Sequence, residues 1–318
     1  MLSSSGTQLF VIDRDRPLRP TDRGGSLPRR IVGATTLWPQ MASPAVQRIV
    51  ADPTETPSAR AIALVRDLQA PVDETHLVRI SLTPDGIAGV RTSTTLPGNL
   101  SVLAIDEDGA FLVGGTEGRV YFGAVNTDAL EIERILDART ERFRAAIATG
   151  NSAAPWLVTG RIAVYERLAT TRRWTQTILS RVGETLHLEG LAAAGPEDGR
   201  ELWAGGTSGV LYVRRAGSWS RAMPAFPPRL AICGAATDGP RPIYEDTIDA
   251  LDISGGALSI MSDDCAGLVR VRLSDGCSTV LQLGDQRIAP AEGALRGLAS
   301  RAGQLVGVTY RGQVWSLD

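Results

Sequence analysis

Along the chain, two apolar residues separated by two others recur at intervals, and in all copies but the first the step closes on a small residue or aspartate. The copies stand at Val46–Ile49–Val50, Leu100–Leu103–Ala104, Phe143 or Arg144 to Ile147–Ala148, Leu188–Leu191–Ala192, Ile248–Leu251–Asp252 and Leu295–Leu298–Ala299. The residue before the second apolar position is small or β-branched in five of them (Val102, Ala146, Gly190, Ala250, Gly297), as suits a crowded strand. An apolar run ending at glycine follows five of the six: Phe111–Gly118, Trp156–Gly160, Leu202–Gly209, Ile260–Gly267 and Leu305–Gly312. Glycine fits there because hairpin turns often need positive φ. After each glycine the second position is apolar (Val120, Ile162, Leu211, Val269, Val314), and the next is mostly bulky, as at Tyr121, Tyr212 and Trp315. Such alternation predicts a half-buried strand. A fourth, less regular strand is expected at Leu130–Leu136, Trp174–Leu179, Trp219–Met223 and Ser278–Leu283. Over 128–148 a helical stripe (Ile132, Leu136, Arg139, Phe143, Ile147) competes, but the repeat register favours strand–turn–strand.

The hinge glycines lie 42, 49, 58 and 45 residues apart. A unit of that size with four short strands cannot bury its own apolar face and needs copies of itself, which is the pattern of a β-propeller. The expected fold is therefore all-β: one propeller domain over 1–318 with six four-stranded blades. Seven fit if residues 1–43 form a blade of their own. The blades fall at 44–99, 100–140, 141–183, 184–224, 247–286 and 294–318, with 225–246 an inserted loop. The first has strands at Val46–Ala51, Ala59–Arg66, His76–Leu82 and Ile87–Leu96. Gln8–Asp13 and Arg30–Leu37 are spare strands at one end, while the last blade has only three. Pairing the N- and C-terminal strands would close the ring and remove its exposed edge.

The blade at 201–224 resembles the Kelch repeat, with its double glycine (Gly205, Gly206), then Tyr212, then Trp219. The blade at 156–180 keeps Tyr165 and Trp174, and that at 100–136 keeps Gly114, Gly115 and Tyr121. The run Leu100–Tyr121 also resembles WD40-like and related bacterial propeller blades, although Gly-His and Trp-Asp dipeptides are absent. The resemblance covers most of 44–318 and implies a repeat-built platform. The repeat alignment makes Gly118, Gly160, Gly205, Gly206, Gly209, Tyr212, Trp219, Gly267, Gly312 and Trp315 expected structural residues.

Composition narrows the function. The chain carries 33 basic and 35 acidic residues, a net charge of −2, and every basic residue is arginine. That balance argues against a nucleic-acid binder with a broad basic surface. No apolar run reaches the length of a membrane span. Met1–Phe10 lacks a basic stretch followed by an apolar one, which leaves cytoplasmic location as the default expectation. The two histidines, His76 and His187, have no metal-ligand spacing with each other or with cysteine. Asp106-Glu-Asp-Gly109 has calcium-loop composition but no suitably spaced glutamate, so it is expected as a hairpin turn, as is Asp263–Asp264. No catalytic residue, metal or cofactor is expected.

The segment 225–246 accounts for the long 58-residue interval and is the candidate binding loop, through Arg229, Asp238, Arg241, Tyr244, Glu245 and Asp246. In a four-stranded blade the second-to-third hairpin and the connection to the next blade share one face. Cys233 and Cys265 are placed on that face, where a disulfide between them is geometrically open, with Cys277 left free. Three reduced thiols account for the odd count more simply. The expected role is a non-catalytic interaction or scaffold propeller that binds a protein partner through one loop face. The alternatives are a hydrolase or lyase acting on a glycan or acidic substrate at the channel mouth, and an accessory domain of a larger assembly.

Overall fold

The structure, a computed structural model, describes residues 2–5, 8–12, 29–54, 60–83, 86–151, 153–168, 170–179, 186–194, 200–207, 210–222, 231–233, 241–242, 248–254, 257–262, 268–272, 278–280, 282–283, 286–287, 295–301, 304–309 and 314–316. The chain divides into two compact units, 1–16 with 28–177, and 17–27 with 178–318. In the first, β1 (Leu2–Ser5), β2 (Gln8–Ile12) and β3 (Arg29–Gly33) form an antiparallel three-stranded sheet. A helical turn, α1 (Ala34–Leu37), follows. It replaces the second half of the strand expected over Arg30–Leu37 and leads to Trp38, which is completely buried. Three antiparallel meanders of four strands come next. They are β4 (Pro44–Ala51), β5 (Arg60–Asp67), β6 (Glu74–Thr83) and β7 (Gly86–Pro97); β8 (Leu100–Ile105), β9 (Ala110–Gly115), β10 (Arg119–Ala124) and β11 (Leu130–Arg134); and β12 (Ala146–Ala148), β13 (Trp156–Thr159), β14 (Ala163–Arg167) and β15 (Trp174–Ile178). Between β11 and β12 lies a single 3-10 turn, Leu136–Ala138, so strand–turn–strand prevails over the helical stripe.

The second unit repeats the plan. Its sheets are β16 (Leu188–Ala194), β17 (Glu201–Gly206), β18 (Leu211–Arg215) and β19 (Ser218–Arg221), then, after a short hairpin of β20 (Ala231–Cys233) and β21 (Arg241–Pro242), β22 (Ile248–Ser254), β23 (Ala257–Ser262), β24 (Leu268–Arg272) and β25 (Ser278–Val280). A hairpin of β26 (Gln282–Leu283) and β27 (Gln286–Arg287) precedes the three-stranded β28 (Leu295–Arg301), β29 (Gln304–Thr309) and β30 (Val314–Ser316). The described three-stranded sheets are β1–β2–β3 and β28–β29–β30.

The recurring apolar step has a cause in the first strand of the sheets that begin at β4, β8, β12, β16, β22 and β28. In β4, β8, β16, β22 and β28 the register with the next strand slips once, passing over Gln47, Ser101, Glu189, Asp249 and Arg296. Before β12, Thr159 engages two consecutive residues, accepting at its carbonyl from Arg144 N (3.2 Å) and donating to Ala145 O (2.9 Å). These are β-bulges, in which two residues oppose one. In a regular strand, residues three apart face opposite sides. The extra residue restores them to one side: Leu100 and Leu103 join one apolar cluster, while Val102 and Ala104 join another. The passed-over residue is polar in five copies, and Ser101 Oγ donates to Phe143 O at 2.7 Å.

The double glycine belongs to this device and not to a turn. Gly115 pairs with Leu100 and Gly206 with Leu188, each inside its strand. A Cβ on Gly115 would lie 2.7 Å from Leu100 Cα and closer still to Asn99 O, and one on Gly206 would lie 3.0 Å from Leu188 Cα. Gly118 is a genuine hinge, since it and Glu117 both have φ +64°, the requirement of a type I′ hairpin.

Apolar clusters in the first unit lie between successive sheets. One packs Ile62, Leu64 and Leu77 against Leu103, Phe111 and Tyr121, and another packs Val102, Leu112 and Val120 against Phe143, Val158 and Tyr165. Each such side chain removed from water contributes about 1.5–3 kcal/mol.

Candidate interaction face

The second-to-third hairpins and the sheet-to-sheet connections meet at one end of the sheets, where short hydrogen bonds weld them together. In the first unit the connection 135–145 runs across the turn after β9: Ile135 N donates to Gly118 O (2.8 Å), Glu117 N to Glu141 O (3.1 Å) and Phe143 N to Gly115 O (2.8 Å). Thr116 and Arg142 form a single β-bridge. From the next hairpin, Arg161 N donates to Glu141 Oε2 at 2.6 Å. Burial pushes the Tyr165 hydroxyl up to about 12, with the Glu141 charge adding to it, so it stays protonated. It donates to Asp137 O at 3.4 Å and accepts from Gln176 Nε2 at 3.2 Å. One sheet earlier, Gly98 N donates to Asp73 O (2.8 Å), and Thr75 Oγ1 bridges Gly98 O and Leu100 N at 2.8 and 3.0 Å. In the second unit, Thr207 N donates to His187 O (2.9 Å) and His187 N to Thr207 Oγ1 (3.0 Å). Backbone bonds of this kind make a stiff mount for exposed side chains.

At the opposite end, Asp106 caps its hairpin. Its Oδ1 accepts from Asp108 N (3.0 Å) and Ala110 N (2.8 Å), and Gly109 takes φ +82°. Burial raises its carboxyl above the usual range, against those hydrogen bonds. Asp52 does the same work in the preceding sheet, accepting from Thr54 N and Oγ1 at 3.0 and 2.7 Å. The acidic run at 106–109 is thus a turn, as its composition led us to expect. Arg79, 6% exposed at its side chain, reaches from β6 to Asp128 (3.1 Å) and Thr127 O and lies over the Phe111 ring.

A buried polar cluster ties the second four-stranded sheet to the third. Arg167 Nε lies 2.9 Å and Nη2 2.6 Å from the two oxygens of Glu133, while Trp174 Nε1 donates to Glu133 Oε2 at 2.9 Å. The guanidinium sits 4.3 Å from the Phe122 ring centroid, and Phe122 meets Trp156 edge-on at 5.8 Å. Sequence reasoning missed this cluster. Its one signal is that Glu131 and Glu133 stand two apart along an expected strand.

Of the residues singled out from sequence, Gly205, Gly206 and Tyr212 are buried in β17 and β18, and Trp219 is half-buried on β19. Gly160 closes β13, where an added Cβ would lie 2.9 Å from the Tyr165 ring. Trp315 stands in β30. Gly209, Gly267 and Gly312 lie outside the described residues. In the candidate loop, Arg241 is in β21, and its hairpin with β20 carries Cys233. Arg229, Asp238, Tyr244, Glu245, Asp246, Cys265 and Cys277 lie outside the described residues. Among the described residues no group of three His, Cys, Asp or Glu could hold a metal ion, and no helix is long and apolar enough to cross a membrane.

No known protein family and no curated protein matches the sequence. The structure, however, is similar to a WD40 propeller chain in a crystal structure of the Mitotic Checkpoint Complex. The TM-score is 0.62 and the identity 11%, and the likeness covers 100% of this chain and 87% of that one. With its antiparallel four-stranded sheets, the chain has the β-propeller fold. The likeness speaks for the fold alone.

Proposed function

We propose that the chain is a non-catalytic interaction propeller that holds a protein partner on the end of its sheets where hairpins and connections meet. A single domain of six blades, with 225–246 inserted after the fourth, is part of this reading. The carrying observation is the welded frame at that end, where hydrogen bonds join the described connections at 97–100, 135–145 and 186–188 to neighbouring hairpins. Such a frame presents side chains without ordering cost at the moment of binding. The structurally similar propeller belongs to a multi-protein complex, which supports the reading by analogy of fold.

In this reading the segment 225–246 is the binding loop, with Arg229, Asp238, Arg241, Tyr244, Glu245 and Asp246 as its polar groups. The test is affinity capture from native extract with the intact chain beside a version lacking 227–244. Partners retained by the first and lost by the second support the loop, and identical recoveries dismiss it. Thiol titration of the denatured chain reads one free thiol if Cys233 and Cys265 are joined, and three if they are not.

A further inference from the structure

The face is unevenly charged. Residues 116–119, 134–144 and 160–162, which the bonds described above hold together, carry six arginines against three carboxylates, on a chain whose net charge is −2. Two of those carboxylates are occupied: Glu117 pairs with Arg119 at 3.2 Å, and Glu141 accepts from the Arg161 backbone at 2.6 Å. Arg134, Arg139, Arg142 and Arg161 are exposed. The nearby glutamates of β11 are engaged elsewhere, Glu133 with Arg167 and Glu131 with Arg172 (3.1 Å).

Apolar side chains stand among these arginines. Ile132 is 62% and Leu136 63% exposed, and they bracket Arg134 in the chain. Ile132 and Arg134 share one face of β11 by strand alternation, with Glu131 and Glu133 on the other. An exposed large apolar pair inside a basic rim marks a binding surface better than either feature alone.

We propose that this surface, from β11 through the connection 135–145 to the hairpin at 160–162, docks an acidic peptide segment of a partner protein that carries aliphatic anchors between its carboxylates. Arginine forks bind carboxylates in pairs, and the aliphatic anchors cover Ile132 and Leu136. A nucleic acid would satisfy the charge but not the aliphatic side chains, for no exposed aromatic residue stands here to stack a base. The proposal rests on the interaction-propeller reading but uses residues outside the inserted loop.

The experiment titrates the intact chain into a fluorescein-labelled peptide of about twelve residues with repeating Asp-Glu-Leu. Controls are the Ser-Gly-Leu peptide, oligoglutamate and a single-stranded oligonucleotide of similar length. We expect preference for Asp-Glu-Leu over every control, and at least about tenfold weaker binding at high salt, where exposed pairs are screened. The triple variant Arg134→Glu, Arg139→Glu, Arg161→Glu, with unchanged circular dichroism and melting, should lose binding. Leu136→Ser should weaken it severalfold, and Arg139→Lys should retain most of it. No binding by the intact chain, equal binding by the triple variant, or tighter binding of oligoglutamate or the oligonucleotide overturns the proposal. If deletion of 227–244 abolishes peptide binding and the triple variant does not, this site is refuted while the interaction-propeller reading stands.

Discussion

Two glutamates two residues apart on β11 offer a controlled measurement of what burial does to an ion pair. Glu133 meets Arg167 with side chains 16% and 9% exposed, while Glu131 meets Arg172 at 55% and 66%. Substituting alanine at Glu133 strands a guanidinium in a poorly solvated site and leaves Trp174 Nε1 without its acceptor. Breaking such a pair costs about 3–5 kcal/mol. The residual exposure of Glu133, and the Phe122 ring that still faces the cation, worth about 0.5–1 kcal/mol, place the expectation at the low end, about 3 kcal/mol. For a chain of this size that lowers the melting temperature by roughly 4–5 °C. Glu131→Ala should change stability by no more than about 0.5 kcal/mol. Urea unfolding followed by far-ultraviolet circular dichroism, which does not depend on Trp174, measures both. Replacing the pair together, Glu133→Leu with Arg167→Met, should recover most of the loss, because no charge is left buried. Equal effects of Glu131→Ala and Glu133→Ala would refute the reasoning, since strand and substitution are the same and the sites differ in burial and in the Trp174 hydrogen bond that goes with it.

Other outcomes follow from the same geometry. Gly115→Ala should destabilise by about 2–4 kcal/mol, because its Cβ meets immovable backbone, whereas Gly114→Ala, whose neighbours are side-chain carbons at 3.0–3.3 Å, should cost about 1 kcal/mol. Thermal melts of the two variants check this. Trp38→Ala should cost about 3–5 kcal/mol by opening a cavity under the first four-stranded sheet, read by chemical denaturation. Acid titration should separate two aspartates. The backbone N–H groups of Gln69, Ala42 and Ser43 hold the Asp67 carboxyl below the usual range. Its contribution is therefore present above the unfolded value near pH 3.9 and lost as pH falls through the lower folded value, so Asp67→Asn should flatten the acid-side loss. Burial raises Asp106, so its ionisation opposes folding as pH rises, and Asp106→Asn should leave neutral-pH stability equal or higher.

The strand plan was legible because a period near 45 residues and alternating burial are properties of sequence order. Val120, Leu211 and Val269 each fall in the third strand of a sheet, where the pattern placed them. What the double glycine does was not legible, because close approach to Leu100 and Leu188 depends on pairing across a sheet. The Arg167–Glu133–Trp174 cluster was hidden for a related reason: its members come from three strands in two sheets, and no spacing along the chain announces a contact 34 residues apart. The strand expected to run on through Leu37 ends at Gly33, because a buried Trp38 needs the chain to bend there, and local β-propensity gave way to packing. The basic surface was overlooked because arginine is the chain's only cation, so its local excess emerges only once Glu131 and Glu133 turn to the other face.

The bulges also bear on how these blades tolerate gain and loss of residues. A single deletion within a strand ordinarily turns every later side chain to the wrong side. At Ser101 the opposite holds. Removing it leaves Leu100 and Leu103 two apart, the spacing at which a plain strand keeps both on one side. The cost is confined to the Ser101–Phe143 hydrogen bond and the tight fit against Gly115. Each of these bulged first strands therefore carries one position where the reading frame of side chains can be shortened without scrambling the core. Ser101 and its counterparts are where length variation among related blades should concentrate.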